Sequence, residues 1–115
     1  MTEEDRIQAS FVRWFHYQHP RLKKMLFAVP NGGARSKATA GILKATGVVA
    51  GVADLILLVG NKDYNSLCIE TKTKKGTQTQ NQRAWQKEAT HFCNKYVICR
   101  TLDDFIREVN SYLGV

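Results

Sequence analysis

Two acids and a lysine stand beside apolar runs in this chain: Asp54 opens Asp-Leu-Ile-Leu-Leu, and Glu70 and Lys72 close Leu-Cys-Ile-Glu-Thr-Lys. Carboxylates that a fold brings together repel each other unless a cation lies between them. A lysine two residues after the second acid is placed to act on whatever that cation holds. The chemistry predicted is metal-dependent hydrolysis of a phosphodiester.

Two strands must position these groups. Between the apolar runs lies Gly60-Asn61-Lys62-Asp63-Tyr64-Asn65, polar and rich in turn formers, which predicts an antiparallel hairpin. With the hairpin centred on Lys62, Asp54 and Glu70 are each 8 residues from the centre and face one another. Opposed residues have Cβ atoms about 4.5 to 5.5 Å apart. Lys72, two positions beyond Glu70, shares its face. A slip of one residue would send one acid to the other side of the sheet, so the register is a sharp expectation.

The 115 residues predict one domain spanning 1–115, with roughly two thirds of the unfolded surface buried. Cys68, Cys93 and Cys99 lie in or beside apolar stretches without a C-x-x-C pair, as small core hydrophobes of a reduced intracellular protein do. No apolar run is long enough to span a bilayer, and Thr2-Glu3-Glu4-Asp5 is the reverse of a basic signal leader. A soluble, cytoplasmic protein with no membrane partner is expected. Seventeen Lys and Arg against ten Asp and Glu give +7, which favours a polyanion such as nucleic acid. The excess gathers at Arg35, Lys37 and Lys44 and again at Lys72, Lys74 and Lys75.

Periodicity supplies the remaining elements. Ile7, Phe11, Trp14, Phe15 and Tyr17 predict an amphipathic helix over 4–18, stopped by Pro20. Leu26–Val29 reads as a short strand, and Asn31-Gly32-Gly33 as a turn. Ser36 caps a helix to about Thr46, ended by Gly47. After the hairpin come a helix over 77–91 with Trp85 inward, a buried strand Tyr96–Cys99, and a helix Leu102–Leu113 capped by Thr101. The order α, β, α, β, β, α, β, α predicts an α/β fold. Its mixed sheet has the last strand parallel to a hairpin strand and helices on its faces.

Taken together, these residues resemble the VRR-NUC family, the virus-type replication and repair nucleases of the PD-(D/E)XK superfamily. The resemblance runs nearly end to end. It is carried by Glu4 four residues before Gln8, Val29-Pro30-Asn31-Gly32-Gly33-Ala34-Arg35, Gly47 and Gly51 ahead of Asp54, Glu70-Thr71-Lys72, and Gln82 three residues before Trp85. Ala53 stands where the superfamily's Pro-Asp pair has proline.

The resemblance implies a restriction-endonuclease-like core in which a catalytic hairpin sits in a mixed central sheet flanked by helices. It further implies that Asp54, Glu70 and the backbone carbonyl of Thr71 hold Mg²⁺ or Mn²⁺, the hard oxygen set such cations prefer. Lys72 would orient or help deprotonate the attacking water, and Gln82 would orient the lysine, a water or a phosphate. Glu4 would be the helix-borne acid that reaches the metal directly or through water, with Glu3 its adjacent competitor. The implied activity is that of a DNA endonuclease selective for branched or four-way junctions in replication, repair or recombination, in a phage or bacterial setting. A homodimer would set two sites on two strands.

Contacts to DNA are expected from Asn31, Gly32, Gly33, Arg35 and Lys37, and from Lys74 and Lys75, with strand alternation placing Lys74 on the catalytic face. Blander assignments compete with these. Glu70 and Lys72 have a plainer reading as a solvated edge-strand ion pair. The charge alone would suit a non-catalytic nucleic-acid-binding module, although two acids inside a basic surface would then repel phosphate. A nuclease of linear DNA or RNA would share the site and differ only in substrate.

Overall fold

Thr-x-x-Asp at residues 2–5, Thr-x-x-Gln at 79–82 and Thr-x-x-Asp at 101–104 each form a capping box, which satisfies orphan amides at a helix start. The computed structural model describes residues 1–30 and 36–115. The Asn31, Gly32, Gly33 and Arg35 expectations therefore fall outside the described residues.

Helix α1 spans Glu3–Gln18 and buries Phe11 and Phe15 completely. Tyr17, counted above with its apolar face, is 85% exposed because at about 100° per residue it lies off the Phe11–Phe15 stripe. Pro20 ends α1 and at the same time opens a 3₁₀ helix, Pro20–Met25, which delivers strand β1, Leu26–Ala28. Helix α2, Lys37–Ala45, is capped by Ser36 as predicted and buries no residue. The hairpin strands are β2, Leu55–Leu57, and β3, Leu67–Thr71. Helix α3, Gln80–His91, begins three residues later than periodicity suggested because Thr79 is its cap. Strand β4 is Lys95–Cys99 and helix α4 is Leu102–Leu113, capped by Thr101.

The sheet order is β1-β2-β3-β4, antiparallel except for the parallel β3–β4 pair. Leu55 pairs with Ile69, Ile56 with Cys68 and Leu57 with Leu67, the register of a hairpin centred on Lys62. One step further along that ladder, Asp54 stands opposite Glu70.

Alternation sorts the two faces of this sheet. Leu26, Leu55, Leu57, Leu67, Ile69 and Cys99 join Phe11 and Phe15 of α1 and Phe105, Val109 and Tyr112 of α4 in one buried cluster. Phe11 stacks on Phe105 with ring centroids 4.6 Å apart. Ile56, Cys68, Glu70 and Tyr96 fall to the opposite face, where α3 lies and half-buried Trp85 approaches the Tyr96 ring at 6.2 Å. Cys68 and Cys99 are buried as expected, whereas Cys93 is exposed in a left-handed conformation, φ +64°, in the turn that follows α3. Among the described residues no helix is long and apolar enough to cross a membrane.

Candidate active site

Gly51 brings the first acid to its place. Its φ of +86° favours glycine, and any Cβ there would overlap the backbone of Asn81, so the loop ahead of Asp54 lies directly against the first turn of α3. Ala53 follows fully buried, and Asp54 emerges half-buried. Its Oδ2 accepts a 2.8 Å hydrogen bond from the Thr71 amide, which ties the acid of β2 to the backbone of β3.

The second acid is deeper. Glu70 is fully buried and Lys72 is only 7% exposed, and β3 is an interior strand. A solvated edge pair is thereby excluded. Lys72 Nζ lies 3.7 Å from Glu70 Oε2. Gln82 spans the gap: its Oε1 accepts from Lys72 Nζ at 2.9 Å, and its Nε2 donates to Glu70 Oε2 at 3.1 Å. The same Oε1 accepts from the Thr79 amide at 2.9 Å, so the capping box that starts α3 also seats the bridging side chain.

Two residues not anticipated from the sequence complete the surround. The Tyr96 hydroxyl donates to Glu70 Oε1 at 3.4 Å and accepts from Gln78 Nε2 at 3.3 Å. Gln78 is in turn anchored on Gln86 Oε1 at 2.8 Å. The four-residue spacing of Gln78, Gln82 and Gln86 was a signal available in the sequence. Tyr96 gave none, since only the parallel β3–β4 register carries it to Glu70.

Burial above all, and then the neighbouring Asp54 carboxylate, push the Glu70 carboxyl up to about 8, against the pull of Lys72. Burial also raises the Tyr96 hydroxyl, keeping it a donor. Glu4 is raised by burial and by Asp54, with Lys72 opposing. Glu4 is half-buried while Glu3 is exposed, so Glu4 is the one whose charge is coupled to the pair. It does not complete a cluster: among the described residues no three His, Cys, Asp or Glu side chains converge to hold a metal.

The remaining donors fit a hard divalent cation. Two adjacent carboxylates, one raised by burial and by the other's charge, and the Thr71 backbone carbonyl between Glu70 and Lys72 form an oxygen set that water can complete. The Thr71 hydroxyl, buried with no hydrogen-bond partner among the described residues, belongs by alternation to the opposite face.

The predicted DNA contacts fare differently. Lys37 is exposed at the start of α2. Lys74 and Lys75 are exposed, but in a turn: β3 ends at Thr71, so strand alternation does not set the direction of Lys74 as expected.

No family model matches the chain, and no curated protein matches it in sequence. A solved structure described as a VRR_NUC domain protein superposes with a TM-score of 0.84 at 23% identity, over 98% of this chain and 89% of that one. The chain has the VRR_NUC fold. Within that fold, the predicted mixed sheet, hairpin and flanking helices all have their counterparts here in β1 to β4 and α1 to α4.

Proposed function

We propose that this protein is a VRR-NUC-type, Mg²⁺- or Mn²⁺-dependent endodeoxyribonuclease that hydrolyses phosphodiester bonds of branched DNA, four-way junctions foremost. The observation that carries the reading is Asp54 opposite a buried Glu70, with Lys72 locked to Glu70 through Gln82. The VRR_NUC fold and the +7 charge support it.

When bound, the divalent cation supplies charge neutralisation at the phosphoryl group and a potent nucleophile at neutral pH. The chain's own residues do the rest. Asp54, Glu70 and the Thr71 carbonyl would hold the ion, and the Thr71 amide fixes Asp54 in place. Lys72, its ammonium aimed by Gln82, orients the attacking water and offsets charge on a phosphoryl oxygen. Glu4, whose charge is coupled to Asp54 and Lys72, would reach the ion directly or through water. Phosphate and shape recognition dominate, through Lys37, Lys74 and Lys75 together with Asn31, Gly32, Gly33 and Arg35. A homodimer, tested by sedimentation, would place two such sites on two strands of a junction.

The decisive measurement incubates labelled four-way junction, flap, linear duplex and RNA with the protein, with and without each cation. Metal-dependent cutting, strongest on the junction and abolished in Asp54→Asn, Glu70→Gln and Lys72→Ala, is expected. Intact DNA binding with no cutting under any cation would leave only a non-catalytic module. Equal cutting of linear DNA or RNA would overturn the substrate assignment.

A further inference from the structure

We propose that Arg100 is a positioning residue that locks the turn after Lys72, so that Lys74 and Lys75 meet the DNA backbone as a preformed pair. The inference rests on the nuclease reading and concerns how that site grips its substrate. Arg100 lies just past β4, and its Nη1 donates to the carbonyl oxygens of Thr73 and Gly76 at 2.7 Å each, with Lys74 O farther off at 3.4 Å. The Gly76 amide closes the same turn on Thr73 O at 3.2 Å.

The anchor is itself fixed at both ends. The Arg100 amide donates to Asp104 Oδ2 at 2.9 Å, the carboxylate that also caps α4, and the Lys72 amide donates to Cys99 O at 3.1 Å. The turn thus departs from a tied pair of strand ends and is gathered onto a planar guanidinium whose donors are held in a rigid fork. Its carbonyl oxygens, which would repel phosphate, are turned onto that cation. The two lysines at the tip are exposed, and among the described residues neither makes an ion pair. Freezing their backbone beforehand removes an ordering cost from binding.

The test is a double-mutant cycle on the full chain, reading junction affinity by anisotropy without divalent metal, with amide exchange of Gly76 as a second readout. Arg100→Met is expected to weaken binding roughly tenfold at low salt and to speed Gly76 exchange, much as Lys74→Ala/Lys75→Ala weakens binding. In the double-lysine variant, Arg100→Met should weaken binding no further, because its effect acts through those lysines. Full additivity, unchanged affinity in Arg100→Met, or affinity restored by Arg100→Lys without restored Gly76 protection would each overturn the proposal. Should the wild type bind no DNA, the nuclease reading itself fails and the proposal falls with it. Normal wild-type binding untouched by Arg100→Met sinks this inference alone.

Discussion

The Gln82 amide divides its two ends between a helix cap and a carboxylate. Its oxygen serves Thr79 N and Lys72 Nζ, and its NH₂ serves Glu70. Glutamate would cap α3 as well as glutamine does, since either completes a capping box. It would, however, set a third carboxylate against Glu70 and remove the donor. Gln82→Glu is therefore expected to keep its helix content by circular dichroism while cutting falls about 10²- to 10³-fold, the scale of losing one preorganised donor.

Glu70 also makes the fold sensitive to pH. Its carboxyl is raised from 4.5 to about 8 in the folded protein. Below about pH 4.5 it is protonated whether the chain is folded or not, and the stability linked to its proton is fully present. Between 4.5 and 8 the folded state keeps a proton that the unfolded chain has lost, so metal-free stability declines as pH rises through that window. Above 8 the decline levels off. Urea midpoints measured in chelator across pH 4 to 9 should show this fall, and Glu70→Gln should flatten it.

Among the elements, the joint between the Asp54 loop and α3 sets the site's geometry. Gly51 touches the backbone of Asn81, one residue before the bridging Gln82, so the loop and the helix cannot move independently. Gly51→Ala combines a left-handed backbone with an overlap against main chain. A loss of about 2 to 4 kcal/mol in unfolding free energy is expected, together with reduced cutting from any fraction that remains folded. Gly47→Ala is a useful contrast: its φ is +109° but a Cβ would meet nothing within 4 Å, so only the backbone term applies and the loss should be smaller.

For the whole molecule, the proposed function makes long-range attraction by a charge of +7 on 115 residues the first event in DNA binding. Affinity for junction DNA should fall steeply with salt. If about five phosphates are neutralised, the slope of log K against log salt is near −4.5, and arms of shuffled sequence should give the same value. A shallow slope with strong sequence preference would point to base reading instead. Anisotropy titrations between low and physiological salt measure both.

The sequence by itself determined what short-range rules govern. A turn centred on Lys62 between two period-two runs settled which residues oppose each other in the hairpin, and with it the meeting of Asp54 and Glu70. The caps Ser36 and Thr101 settled where α2 and α4 begin, whereas periodicity alone places the start of α3 three residues ahead of its cap-defined position after Thr79. Tertiary structure alone decided that Tyr96 stands over Glu70, that α3 lowers Gln82 between Glu70 and Lys72, and that Arg100 reaches back to the turn at 73–76. The physical reason is that a hairpin's register is fixed by its own turn. A parallel strand that returns after a crossover helix takes its register from packing across the whole core, and no local pattern records that.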